Sequence, residues 1–234
     1  MNKPYAGVGR ALAFALGISL ALTPILCLRA YAATAAVPAV AAATHTALDR
    51  YLDGLTTWSA KFQQSVTDAR GRKVGEGSGR FIVVRPGRFR WESAPAGASA
   101  AAQLLVADGR NLWFYDRDLE QATVKPLSQA MPQSPAMLLA GGAGLNEAFE
   151  VRSDGRHDDL DWVVVVPRDK SSDFREARFG FRDRELLRLE IVDKLAQRSN
   201  LQFTDVQRNP VVDPSEVRFQ PPMGTDVIGK PLPP

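Results

Sequence analysis

Few side chains in this sequence could carry covalent chemistry. The two histidines stand far apart: His45 at the start of a predicted helix, His157 in the polar hairpin SDGRHDDLD. Neither belongs to a metal-ligand spacing. No Gly-x-Ser-x-Gly elbow is present. The glycine clusters GRKVGEGSGR and GGAG lack the strand-to-helix setting of a phosphate loop. Carboxylates are plentiful, so a paired-carboxylate hydrolase on a β scaffold is one alternative. Most of them, however, stand in turns or beside a basic residue, as in RDRE and RHDDLD, which is the pattern of solvated turn charges. No catalytic residue, metal ligand or cofactor is assigned.

The side chain that stands out is Arg85. In FIVVRPGRFRWES (Phe81–Ser93), alternate residues of an extended chain share a face. Phe81, Val83, Arg85, Phe89 and Trp91 have one parity, so a permanent charge sits among four large apolar side chains. Its five N–H donors form a fixed fork, and burial is costly unless they find acceptors. Carbonyls at exposed helix ends are natural acceptors. The alternative is a surface arginine, turned outward by a bulge at Pro86–Gly87 that resets the parity.

The elements that must position Arg85 are mostly strands. Leu48, Tyr51, Leu52 and Leu55 fall at i, i+3, i+4 and i+7, predicting one helix, with Thr44 or Thr46 as its cap. From Trp58 the period becomes two. Strands are predicted at 61–67, 74–84, 89–92, 103–107, 112–115 and 119–125, with Asp108-Gly109 as a hairpin turn. Ser128–Phe149 interrupts them with short helices that start at Ser134-Pro135 and stop at Gly141-Gly142. Further strands are predicted at 150–153, 162–166, 175–182, 186–193, 199–207 and 217–220. The fold class is therefore mainly β with capping α: an unclosed antiparallel barrel, or strongly curved sheet, with a helical lid. Inward parity collects Phe62, Phe81, Val83, Phe89, Trp91, Phe179, Phe181, Leu187, Leu189, Ile191, Leu201 and Phe203. These side chains either fill a core or line a cavity beneath the lid.

The N-terminus changes the charge. Lys3 and Arg10 precede an apolar run at Ala11–Leu28, and Ala30-Tyr31-Ala32 has the small-x-small form of a signal-peptidase site. A signal peptide over 1–32 is predicted, followed by a low-complexity arm at 33–43, one domain at 44–228 and a short tail at 229–234. The alternatives are an uncleaved membrane anchor and a lipid anchor at Cys27, although Leu26 replaces the Gly, Ala or Ser that such a signal requires. Without Lys3, Arg10 and Arg29 the 29 basic residues become 26, equal to the 26 acidic ones. The formal charge of +3 thus belongs to the leader, and no nucleic-acid partner is expected. Cys27 is the one cysteine, so the mature chain is expected to be free of thiols, disulfides and cysteine-ligated metal.

The motifs KFQQSVTDARGRKVGEGSGRF, VRPGRFRWE, ADGRNLWFYDRDLEQATVKPL, SPAMLLAG and VRFQPPMGTDVI occur in this order. In that combination the sequence resembles the periplasmic outer-membrane lipoprotein carrier family (LolA). The resemblance implies an incomplete barrel of about eleven strands, lidded by helices over a hydrophobic cavity. It implies a periplasmic monomer that accepts acylated lipoproteins from an inner-membrane ABC complex and hands them to an outer-membrane receptor, without cofactor or covalent chemistry. Arg85 matches the arginine that hydrogen-bonds to the lid. Phe89 matches a phenylalanine tied to cargo and partner contact, and Trp91 shares its face. The helix bearing Leu48, Tyr51, Leu52 and Leu55, and the insertion bearing Pro135, Met137, Leu138 and Leu139, match the lid. The loop SAPAGASAA is small and uncharged where the family is often acidic, and the tail after Ile228 is short. A membrane-anchored receptor of the same fold is the nearest alternative.

Overall fold

The computed structural model describes residues 45–98, 100–130, 136–141, 145–170 and 172–233. The predicted leader and the whole of the arm lie outside the described residues, as does Pro135. Among the described residues twelve strands form one sheet, in the order β12-β6-β5-β4-β3-β2-β1-β11-β10-β9-β8-β7, with β12 at Asp226–Ile228. Strands β1 (Thr57–Thr67), β2 (Lys73–Val84), β3 (Arg88–Pro95), β4 (Gln103–Asp108), β5 (Asn111–Asp116) and β6 (Gln121–Pro126) form the first half. Strands β7 (Phe149–His157), β8 (Leu160–Pro167), β9 (Phe174–Arg182), β10 (Glu185–Asp193) and β11 (Arg198–Arg208) form the second. These eleven pair antiparallel, and β1–β11 joins the halves. The sheet does not close, because its two edge strands, β12 and β7, are not partners.

Between β6 and β7 run three short helices, α2 (Leu127–Ala130), α3 (Ala136–Ala140) and α4 (Leu145–Ala148). Helix α1 (Ala47–Leu52) precedes the sheet. It is only six residues long, too short to hold its shape alone. A capping box fixes its start: the Asp49 amide donates to Thr46 Oγ1 at 3.2 Å, and the Thr46 amide donates to the Asp49 carboxylate at 2.8 Å. Leu55 lies beyond the helix yet is buried, so the predicted apolar stripe outlasts the helical turns.

The prediction of a strand at 217–220 is corrected. Pro at the first position and Asp213 as cap make Pro214–Val217 a 3-10 turn. The last strand is β12 (Asp226–Ile228), which pairs parallel to β6 and covers that edge. The segment leading to it packs Phe219 on Trp113 and Tyr115, on the face of β5 opposite the main core. The tail is tied down as well. Leu232 exchanges two hydrogen bonds with the Asn111 side chain, at 2.8 and 3.1 Å.

The main core lies between the sheet and helices α1 and α3. β2 lies between β1 and β3 in the sheet, and at Gly79 it needs glycine. A Cβ on Gly79 would fall 1.9 Å from the Glu92 carbonyl oxygen and 2.5 Å from the Phe62 ring.

Candidate functional site

The interior is built by inward residues of nine strands, β1 to β4 and β7 to β11. Phe81 and Val83 come from β2 and Phe89 from β3, each with no accessible surface. Phe179 and Phe181 from β9, Leu189 from β10, and Leu201 and Phe203 from β11 face them in the same core. Trp91 and Ile191 pack on its margin, half-buried. The aromatic rings interlock: Phe81 lies edge-on to Phe89 at 5.9 Å, and Trp91 lies 4.5 Å from Phe62. These side chains pack against one another. A long apolar ligand enters it only by displacing what covers it.

Leu187 is a correction. The pairing of β10 with β9 shifts register between Leu186 and Arg188. The extra residue turns Leu187 out of the core, half-buried beside Leu160, Trp162 and Arg188, and gives its inward place to Leu186, which has no accessible surface. The bulge has no sequence mark here, because LLRLEIV alternates cleanly with Leu187, Leu189 and Ile191 on one face.

The cover is α1 and α3. Leu48, Tyr51 and Leu55, with Leu52 at the margin, and Met137, Leu138 and Leu139 of α3 belong to the same core. Both helices are fastened at the turn between β2 and β3. Arg85 Nη1 donates to the Leu52 carbonyl at the end of α1, at 2.9 Å. The Gly87 amide donates to the Ala140 carbonyl at the end of α3, at 2.9 Å. Gly141, with φ +70°, ends α3 and lies against the guanidinium. A Cβ there would fall 2.6 Å from Arg85 Nε and 2.7 Å from Nη2. Arg85 thus turns inward, toward helix-end carbonyls, rather than out to solvent.

A second fastening is not visible in the sequence. Arg208, at the end of β11, donates to the Tyr51 carbonyl at 2.5 Å and to the Asp53 carbonyl, with its guanidinium over the Tyr51 ring at 5.4 Å. Beside it, Asn209 sits in left-handed backbone, its carboxamide oxygen accepting from the Thr56 amide at 2.9 Å and its amide donating to Gly54 at 3.0 Å. The only local signal is Asn-Pro at 209–210, which marks a turn and says nothing of its partner. Burial, and then the positive charge of Arg208, hold the Arg85 guanidinium below its usual arginine value.

Electrostatics elsewhere are structural. Asp108 accepts from the Arg110 and Asn111 amides, at 2.9 and 2.8 Å, and from Trp113 Nε1 at 3.0 Å. Burial works against its ionised form, but these donors prevail and hold the carboxyl below the usual carboxylate range. Among the described residues no three His, Cys, Asp or Glu side chains gather as a metal-ligand set.

The family profile described as "Outer membrane lipoprotein carrier protein LolA" matches residues 53–220. The "Outer-membrane lipoprotein carrier protein" of Chromobacterium violaceum is 36% identical over 207 residues, covering 88% of this chain and 97% of that one. The protein of the same name from Methylobacillus flagellatus is 38% identical, covering 78% of this chain and 87% of that one. Among solved structures, a LolA superfamily protein from Nitrosomonas europaea is similar at a TM-score of 0.44 and 14% identity, covering 76% of this chain and 99% of that one. Relatives at this identity, alike over most of both chains, establish that the chain belongs to the outer membrane lipoprotein carrier protein LolA family.

Proposed function

We propose that this chain is a periplasmic carrier that takes acylated lipoproteins released from the inner membrane, covers their acyl chains and delivers them to the outer membrane. The observation that carries this reading is the apolar interior of an unclosed sheet, covered by short helices that hydrogen bonds hold at their ends. Each methylene taken out of water is worth about 0.8 kcal/mol, so an acylated protein leaves a membrane at a useful rate only if its chains are covered. A carrier must also give them up, which requires closed and loaded states of similar free energy. Apolar contacts between the covering helices and the sheet meet that need, because cargo replaces one set of apolar contacts with another.

In this reading Arg85 is the latch. Its bond to Leu52 favours the empty, closed form, and cargo breaks it. The inward residues Phe81, Val83, Phe89, Trp91, Phe179, Phe181, Leu189, Ile191, Leu201 and Phe203 take the acyl chains. The inner-membrane ABC complex supplies the cargo and an outer-membrane receptor receives it. The leader over 1–32 exports the chain. The test uses the purified mature protein and a hydrophobic fluorescent probe. The probe binds, and a triacylated lipoprotein displaces it while the same protein without acyl chains does not. A chain that takes up neither probe nor lipoprotein contradicts the proposal.

A further inference from the structure

Two polar groups in this greasy interior have no hydrogen-bond partner among the described residues: the Tyr51 hydroxyl and Trp58 Nε1. Both side chains are buried, Tyr51 with 2% and Trp58 with none of its surface accessible. Buried donors are almost always satisfied, so two orphans together need a reason. Trp58 stands on β1 with its ring edge-on to Phe81 at 5.3 Å and to Phe203 at 5.2 Å. Tyr51 stands on α1 against Phe181 at 5.2 Å. Both therefore sit among the residues assigned above to the acyl chains.

The two groups are neighbours. Burial pushes the Tyr51 hydroxyl well above its ordinary value, and the Trp58 N–H and the Leu186 amide face its oxygen closely enough to oppose that shift. Neither closes a bond of ordinary geometry, so proximity without a hydrogen bond is the state of this pair. Both side chains can donate, and tryptophan can do nothing else. What would satisfy both is one acceptor, uncharged because the surroundings are apolar.

An acyl chain brings that acceptor with it. The chains of an acylated protein are joined to it through ester or amide carbonyls, so every chain that enters carries a neutral oxygen at its polar end. We propose that Trp58 Nε1–H and Tyr51 O–H form a two-donor subsite for the ester or amide carbonyl of an acyl chain. The inference rests on the carrier reading and adds to it. The empty form leaves two donors unsatisfied and the loaded form satisfies them, so the interior favours acyl esters over plain hydrocarbon of equal length. Trp58 is fixed on the sheet. Tyr51 travels with the lid and contributes while α1 remains over the cargo.

The test compares monopalmitoylglycerol with its ether analogue, monohexadecylglycerol, which keeps the chain length and loses the carbonyl. Each is titrated against a hydrophobic fluorescent probe bound to the mature protein. The wild type prefers the ester about tenfold, the size of one to two net hydrogen bonds. Trp58→Phe and Tyr51→Phe each reduce that preference to about threefold, and the double variant abolishes it. Tyr51→Phe removes only an unsatisfied hydroxyl and does not lower the melting temperature of the empty protein, so it serves as the folded control if Trp58→Phe is poorly packed. Equal affinity of the wild type for both lipids overturns the subsite alone, as does an undiminished ester preference in Tyr51→Phe and the double variant. Failure of either lipid to displace the probe overturns the carrier reading and the subsite with it.

Discussion

Arg85 and Arg208 meet at the last turn of α1. One donates to the Leu52 carbonyl at 2.9 Å, the other to the Tyr51 carbonyl at 2.5 Å. Helix-end carbonyls lack partners within the helix and carry partial negative charge, so two cations can share one helix end despite repelling each other. Their strands arrive from opposite ends of the sequence, and pairing of both with β1 brings them together. The lid is thus tied to the seam of the sheet by two charges.

Arg85→Leu removes one charge-assisted hydrogen bond, worth about 1.5 kcal/mol or roughly tenfold in an equilibrium. The Arg50 and Asp53 amides, bonded to Thr46 and Asp49 in α1, are expected to exchange hydrogen about tenfold faster. The variant accepts lipoprotein and delivers it poorly. Unchanged exchange and delivery contradict the latch.

Gly141→Ala should act like Arg85→Leu without touching the arginine. The new methyl group would stand 2.6 Å from Arg85 Nε, at a residue whose φ of +70° already disfavours a side chain. The expected loss is about 1–2 kcal/mol, with the same rise in exchange of α1 amides. Full protection of α1 in this variant would show that the guanidinium does not need that space.

Arg208→Gln is expected to loosen α1 by about 1–2 kcal/mol, because its fork contacts two carbonyls. Combined with Arg85→Leu the loss should exceed the sum of the two single losses, since each single removal also relieves the repulsion between the charges and the double variant gains that relief only once. A double-mutant cycle on α1 exchange measures the excess, and strict additivity would refute the coupling.

The register shift in β10 separates two adjacent leucines. Leu186→Ala should cost about 2–5 kcal/mol of stability as a buried truncation, and Leu187→Ala less than about 1 kcal/mol. Urea denaturation of the two variants distinguishes them. The reverse order would place the alternation where LLRLEIV suggests.

Asp108 gives stability a pH dependence of known sign. Its folded carboxyl titrates below the unfolded value of about 4. It therefore contributes stability above that pH, and the contribution fades as pH falls through the folded value. Asp108→Asn should lower the melting temperature at pH 7, and the gap to wild type should narrow below about pH 4. A gap independent of pH would mean that the carboxylate's charge is not what its donors recognise.

Much of the molecule was legible in advance because alternation and turn residues are local. The strand series, the Asp108-Gly109 hairpin and the inward parity of Phe81, Val83 and Phe89 all follow from period two. What escaped depends on partners far along the chain. Arg208 is one charge in a polar stretch until β11 pairs with β1. The bulge at Leu186 and the parallel pairing of β12 with β6 are settled by tertiary contacts. Trp58 and Tyr51 read as ordinary apolar positions, and only the packed interior reveals that their polar atoms go unpaired.

Carriage of acylated protein between membranes is decided by release from spheroplasts. Added mature protein should bring newly made outer-membrane lipoproteins into the medium as one-to-one complexes, and isolated outer membranes should then strip them from it. Lipoproteins that stay on the spheroplasts whatever the amount of protein added would contradict the account.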